Sequence, residues 1–268
     1  MNVPMVDLAS EYAAHRAEID AAIADVLQGG AFILGPRVES FEKAFAQFTG
    51  ANHCIGVGSG TDALILSLEA MGVGPGDEVI MPANTFAATA MAVTTLGAVP
   101  RFVDCEPSRL LIDLSQVASA ITPRTRALVA VHLYGQMVDV AAMRAHGLPI
   151  LEDAAQGHGA MLGDQRVGTA GDIAAFSFYP TNNLCGVGDG GAVTTNNADM
   201  AQRIQRVRTY GQDRKNHHVV IGRNSRLDEL QAAVLNIKLP HLAKCNERRR
   251  EIARYYDAHL KVDRLPIA

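Results

Sequence analysis

Between His53 and Thr195 the chain repeats one pattern: a short apolar run, closed by Gly, Pro or Asp, then a stretch with helical spacing. His53–Val57 precedes a predicted helix from about Thr61 to Met71. Glu78–Met81 precedes one from Phe86 to Leu96, and Val99–Val103 follows. Ala127–His132 leads into Val138–Ala145, and then come Pro149–Glu152, Ile173–Phe178 and Gly190–Thr195. Apolar strands that alternate with helices point to a parallel sheet covered on both faces. The expected fold class is therefore α/β, a mainly parallel sheet of about seven strands sandwiched by helices, with right-handed crossovers and ligands at the carboxyl ends of the strands.

Helices flank this core. Tyr12, Ile19, Ile23 and Val26 recur at near-helical spacing within the first forty or so residues, and Gly29-Gly30 ends the run. Pro36 opens a second helix, where its missing N–H has no partner to lose. Val38, Phe41, Phe45 and Phe48 share one side of it, and Gly50 closes it. Asp199–Val207 and Asp228–Lys238 are further helices, and Pro240 marks a break before a long helix to about Leu260.

The bulk properties exclude several classes. A chain of 268 residues holds one large domain, or one plus part of a second. With a net charge of −4 and no basic stripe, nucleic acid is not an expected partner. Arg248-Arg249-Arg250 lies between Glu247 and Glu251 and reads as a solvated helix face. No apolar run reaches the ~18 residues that a bilayer span needs, so no membrane association is expected. Met1-Asn2-Val3-Pro4 lacks the charged-then-apolar pattern of a signal peptide. Cys54, Cys105, Cys185 and Cys245 are far apart and none forms a CxxC pair. Neither a disulfide framework nor a zinc site is expected, and a reducing cytoplasm fits. Cys54 and Cys105 sit in or beside apolar runs and are expected to be small core residues.

Four segments at successive strand ends carry the chemistry. Gly58-Ser59-Gly60-Thr61-Asp62-Ala63-Leu64 is either an anion cradle at a helix N-terminus or a glycine turn with a capping hydroxyl. In Pro82-Ala83-Asn84-Thr85-Phe86 the aromatic either packs in the core or offers a flat face to a ligand. Leu151-Glu152-Asp153-Ala154-Ala155-Gln156-Gly157-His158-Gly159 runs an apolar strand into two acids. Burying a carboxylate is costly unless it is paired, so Asp153 calls for a cationic partner, an ion pair or a helix to cap. A protonated pyridine nitrogen is one such cation. His158 reads as a satisfied structural histidine. The fourth segment, Phe176-Ser177-Phe178-Tyr179-Pro180-Thr181-Asn182-Asn183-Leu184, is followed by Gly188-Asp189-Gly190-Gly191, and it lacks the histidines and carboxylates of a metal site.

In order and separation these segments resemble the DegT/DnrJ/EryC1/StrS sugar-nucleotide aminotransferases, fold-type I pyridoxal phosphate enzymes. The resemblance runs from Val3-Pro4-Met5-Val6-Asp7-Leu8 onward. It includes Gly74-Pro75-Gly76-Asp77-Glu78-Val79, His132-Leu133-Tyr134-Gly135-Gln136 and Asn224-Ser225-Arg226-Leu227-Asp228-Glu229-Leu230-Gln231-Ala232-Ala233. It implies that Gly60, Thr61 and Ser177 hold the cofactor phosphate and that Phe86 stacks on the pyridine ring. Asp153 would pair with the ring nitrogen, and Gln156 with the ring 3-hydroxyl. Asn224 would reach the phosphate in a neighbouring subunit, which implies a homodimer with shared active sites. Gly190–Thr195 would be an antiparallel strand. Relatives take a nucleotide-linked keto-sugar and an amino donor, usually glutamate; the wording around Tyr179-Pro180-Thr181 most resembles members acting on dTDP-linked 3-keto-6-deoxyhexoses.

The pattern breaks at one position. Where the family motif reads Ser-Phe-Tyr-Pro-Thr-Lys-Asn-Leu-Gly, this chain has Asn182 for the Schiff-base lysine and Cys185 for the glycine. Arg223 replaces a more usual tyrosine, and Lys215 falls in a stretch resembling a substrate-side loop. An asparagine has no titratable nitrogen, so any pyridoxal or pyridoxamine phosphate is expected to be held noncovalently. The expectation is an inactive or impaired aminotransferase. The alternatives are a non-catalytic cofactor-binding or dimerising protein and a lysine-independent enzyme using the pyridoxamine form. The resemblance also leads to a division into a large cofactor domain that includes the N-terminal helices over 1–240 and, over 241–268, a linker helix and the start of a truncated C-terminal domain, the rest of the small C-terminal domain of relatives being expected to be missing.

Overall fold

The computed structural model describes residues 6–260. Val3–Met5, where the resemblance starts, and 261–268 lie outside the described residues. The chain opens with α1 (Leu8–Ala14), α2 (Arg16–Gly29) and α3 (Pro36–Thr49), followed by β1 (His53–Val57) and α4 (Gly60–Ala70). Then come β2 (Glu78–Pro82), α5 (Ala87–Thr95), β3 (Val99–Val103), α6 (Leu114–Ala120), β4 (Thr125–Val131) and α7 (Val140–Arg144). β5 (Ile150–Asp153) leads to a small hairpin, β6 (Met161–Leu162) and β7 (Gln165–Arg166), and then to β8 (Ile173–Ser177). β9 (Gly191–Thr195), α8 (Ala198–Val207), a second hairpin of β10 (Gln212–Arg214) and β11 (His217–His218), α9 (Glu229–Lys238) and α10 (Leu242–His259) complete it.

The seven-stranded sheet has the order β1-β9-β8-β5-β4-β2-β3. The pairs β2–β3, β2–β4, β4–β5 and β5–β8 are parallel. β9 runs antiparallel between β1 and β8. Its register sets Gly191 opposite both Val57 and Ser177, so the ends of β1 and β8 stand level with the start of β9. Every residue of β2, β5 and β9 is buried, as a strand covered on both faces requires. Among the described residues no helix is long and apolar enough to cross a membrane.

The expected helices are present, with three differences. The first helical run breaks at His15, whose φ of −125° leaves the helical region, so α1 and α2 are separate. α2 and α3 end as the sequence indicates, at Gly30 and Gly50 in the left-handed conformation. α6 was not expected; Asp113 caps it by accepting from Ser115 N. Cys54 is buried as expected, but Cys105 is only half-buried, because it lies in a loop beyond β3.

α3 joins the core through Phe41 and Phe45, which meet Phe176 and Phe178 edge-on at ring separations of 4.9–5.5 Å. Edge-to-face rings add attraction beyond their area burial. The N-terminus of α3 has no side-chain cap of its own. Buried Glu229, at the start of α9, supplies one from almost two hundred residues away. Its carboxylate accepts from the N–H groups of Gly35, Arg37 and Val38 at 2.8–3.0 Å. A negative charge against a helix N-terminus and three orphan donors is stabilised there. Gly35 must remain glycine for this: a Cβ would come within 2.9 Å of the Glu229 carboxyl.

Candidate active site

The carboxyl ends of β1, β5 and β8 and the loop after β2 meet along one edge of the sheet. At its centre, the first turn of α4 lies against Ser177. A Cβ on Gly60 would collide with the Ser177 Cβ and lie 2.9 Å from its Oγ. Gly191 is equally constrained, since a Cβ there would run into the Ser59 carbonyl. Ser59 caps α4 by accepting from Asp62 N at 3.1 Å, and its carbonyl takes Ala63 N–H. The Gly60 and Thr61 N–H groups, at the head of the helix, are left to donate outward. The capped-turn alternative is present, since Ser59 caps the helix, and Ser177 lies directly against the Gly60 end of that turn, so that these donors share one end of α4. This set of donors fits a phosphate dianion.

One strand further, Asp153 ends β5 and is 6% exposed. Its Oδ2 accepts from Thr89 Oγ1 at 2.7 Å and its Oδ1 from Ala155 N at 3.3 Å. No cationic side chain bonds it among the described residues. Burial pushes its pKa above the usual carboxylate value, opposed by the Thr89 hydroxyl and the Ala155 N–H. The acid retains acceptor capacity. That fits a protonated pyridine nitrogen.

Phe86 precedes α5 and is 76% exposed, so the core-packing alternative fails and its ring is available as a flat face. Gln156 accepts from Tyr134 N at 2.7 Å through its amide oxygen. Its NH₂ is left to donate, which suits a phenolic oxygen as partner. Asn182 sits half-buried in the first part of the loop after β8, and its Nδ2 donates to the Ser177 carbonyl at 3.0 Å. It therefore closes the loop that carries the Ser177 hydroxyl. Asn224 is exposed and its backbone bridges Thr209. Lys215 is exposed in the turn between β10 and β11.

Two residues of this edge escape a reading of the sequence, and a third, Arg223, gains a role there that the sequence does not show. Thr89 is one; a threonine in a helix of small residues has no visible pattern. Gln231, on α9, accepts from Val187 N at 2.8 Å and packs against Gly186 and Gly188, holding the glycine-rich loop after Asn182. Arg223 pairs with Glu69 at 2.8 Å and fixes the segment that presents Asn224. His158 is structural but not satisfied. It is 1% exposed beside the rings of Phe45, Phe176 and Phe178, and among the described residues neither ring nitrogen makes a hydrogen bond of normal geometry, the Ser177 backbone being the polar group that faces it. Burial lowers its pKa to about 3.

This sheet, with its helices on both faces, is the fold of the fold-type I pyridoxal phosphate-dependent aminotransferases. The chain belongs to the DegT/DnrJ/EryC1/StrS aminotransferase family, which it matches over residues 13–265. It is 50% identical over 258 residues to the dTDP-3-amino-3,4,6-trideoxy-alpha-D-glucose transaminase of Streptomyces venezuelae, spanning 95% of this chain and 68% of that protein. The crystal structure of S. venezuelae DesV in complex with a ketimine intermediate superposes with a TM-score of 0.95 at 49% identity, covering 99% of this chain and 74% of that one. Bacillus subtilis NtdA with bound cofactor PMP superposes with a TM-score of 0.90 at 36% identity, covering 95% and 60%.

Proposed function

We propose that this chain holds pyridoxal phosphate or pyridoxamine phosphate noncovalently in the site of a sugar-nucleotide aminotransferase, and that Asn182 impairs its turnover. One observation carries the cofactor: the outward-facing donors of Gly60, Thr61 and Ser177 share a sheet edge with a buried carboxylate that has no cation of its own. Gly60, Thr61 and Ser177 bind the phosphate, Phe86 covers one face of the ring, and the Gln156 NH₂ donates to the ring oxygen. Asp153 keeps a proton on the ring nitrogen, because a buried carboxylate is stabilised by an adjacent positive charge. Bound there, the cofactor supplies an electron-accepting ring that takes up an amino group from one substrate and delivers it to another.

Asn182 has no titratable nitrogen, and the Ser177 carbonyl takes one of its two amide N–H donors. It can neither hold the cofactor covalently nor carry a proton at the reacting carbon. The lost acid–base role alone costs about 10²–10⁴ in rate. The substrate class follows from the relatives: a nucleotide-linked keto-sugar, dTDP-3-keto-6-deoxyhexose first, with glutamate as the amino donor. Asn224, exposed and held by the Arg223–Glu69 pair, is assigned to the phosphate site of a second copy, which makes the functional unit a homodimer. The cofactor domain is assigned to the chain up to residue 240, with α10 (Leu242–His259) as the linker helix that follows it.

The test is restoration. Asn182→Lys is expected to raise transamination of dTDP-3-keto-6-deoxyhexose by at least about a hundredfold over the parent chain, in line with the acid–base contribution. Equal rates in the two proteins would remove position 182 from the account.

A further inference from the structure

The sequence segment Pro82–Phe86 supplies an aromatic face, and Asp153 supplies a carboxylate, but the two lie on different elements. What joins them is Thr89. Its hydroxyl is on the first turn of α5, is 1% exposed, and donates to Asp153 Oδ2 at 2.7 Å. Since a carboxylate only accepts, the Thr89 proton points at Asp153 and its oxygen is free to accept. Thr85 fills that role: the two threonine oxygens are 2.7 Å apart, with Thr85 as donor whenever Asp153 is ionised. Thr89 N also donates to the Phe86 carbonyl at 3.1 Å, closing the turn on which the Phe86 ring stands. That ring has little packing of its own, being 76% exposed, and no side chain caps the helix. Residues three apart on a helix are neighbours, so one residue anchors both groups.

We propose that Thr89 is a positioning residue: through its hydroxyl and its backbone N–H it fixes Asp153 and Phe86 relative to each other, and Thr85 completes the donor chain. The role toward a bound ring rests on the cofactor assignment above; the hold on Asp153 does not. The other groups around this carboxylate are few. His132, at the end of β4, is its titratable neighbour, and its Nδ1 accepts from Val138 N, which places its proton on Nε2 toward Glu152. α5 and β8 contribute no charged residue.

The experiment compares Thr89→Val, Thr89→Ser and Thr85→Val with the parent chain in two readouts. The first needs no cofactor: the Asp153 carboxyl is titrated by carbon-13 NMR. Loss of a hydroxyl donating to the ionised form is expected to move its pKa further up by about one unit in Thr89→Val, with Thr89→Ser close to the parent. The second is equilibrium binding of pyridoxal phosphate and pyridoxamine phosphate by absorbance. Thr89→Val is expected to bind roughly tenfold to a hundredfold more weakly, the worth of one hydrogen bond to a charged group, and Thr89→Ser is expected to recover most of it. An unchanged Asp153 titration in Thr89→Val overturns the proposal. If Thr89→Val does not fold, Thr85→Val carries the same test with a smaller upward shift, and no shift there overturns it equally. A shifted titration with a parent chain that binds neither cofactor form sinks the cofactor site, and with it the role of Thr89 toward a ring.

Discussion

Glu152 and Asp153 are consecutive on β5, both buried, and they face opposite sides of the sheet as alternate strand residues must. The Glu152 carboxylate takes His132 Nε2 at 2.8 Å, Gly171 N at 2.9 Å and Gly168 N at 3.3 Å. Those donors come from β4 and from the loop before β8, so the acid stitches the sheet to its covering segment. Asp153 takes one hydroxyl and one long backbone contact, and no cation. One acid is saturated by the protein and the other is left with capacity. The difference separates an acid that holds the fold from one with acceptor capacity to spare.

Replacing each acid should therefore produce opposite phenotypes. Removing Glu152 leaves buried donors and a buried histidine unpaired, so Glu152→Ala is expected to destabilise by about 3–5 kcal/mol in urea unfolding. Asp153→Asn is expected to leave the unfolding midpoint unchanged or raised, while cofactor binding weakens by about a hundredfold. If Asp153→Asn unfolds the protein and Glu152→Ala does not, the two roles are exchanged.

Asp153 and His158, both buried and neither in an ion pair among the described residues, also differ in the sign of their pH dependence. The folded-state pKa of Asp153 is raised, so its contribution to stability is full below the unfolded carboxylate value and is lost as pH rises through the folded value. His158 behaves in the opposite way. An unfolded histidine takes its proton near pH 6.5, whereas the folded one resists until about pH 3. Its contribution is present above pH 6.5 and is lost as pH falls from there toward 3, by about 3–5 kcal/mol over the window. His158→Leu, which removes the titrating ring, is expected to flatten that part of the stability–pH curve, measured by urea midpoints at pH 7, 5 and 4. A curve that stays as steep assigns the acid loss to other groups.

Smaller effects sharpen the contrast between buried and exposed charge. Glu229→Gln keeps a hydrogen-bonding oxygen at the head of α3 but removes the charge, and is expected to cost about 1–2 kcal/mol. Arg250→Ala breaks an exposed pair with Glu247 and is expected to change stability by less than about 0.5 kcal/mol.

Much of the architecture is legible in the sequence, because apolar runs closed by Gly, Pro and Asp mark each central strand and glycines mark the ends of α2 and α3. Segments with two- or three-residue strands, Met161–Arg166 and Gln212–His218, are too short to show a period. α6 had a visible signal, Asp113 ahead of Leu114-Ser115, but a one-residue cap does not stand out without the helix. Within the site, the sequence singles out Gly60, Thr61, Phe86, Asp153, Gln156 and Ser177, and all lie at or just beyond strand ends. Only the family resemblance picks Asp153 over Glu152; composition and periodicity cannot, since which acid faces the donors depends on strand alternation and on the partners that β4 and β8 bring. Nor can it find Thr89, whose importance arises only when β2 and β5 set α5 against the end of β5.

The pocket proposed at the Asp153 edge holds its ligand without a covalent bond. Adding pyridoxal phosphate, reducing with borohydride, unfolding the protein and measuring its mass checks whether it does. Saturable binding before reduction and an unmodified chain mass afterward are expected. A chain heavier by one reduced cofactor, mapped to a single lysine, would contradict it and give the role withheld from Asn182 to another residue.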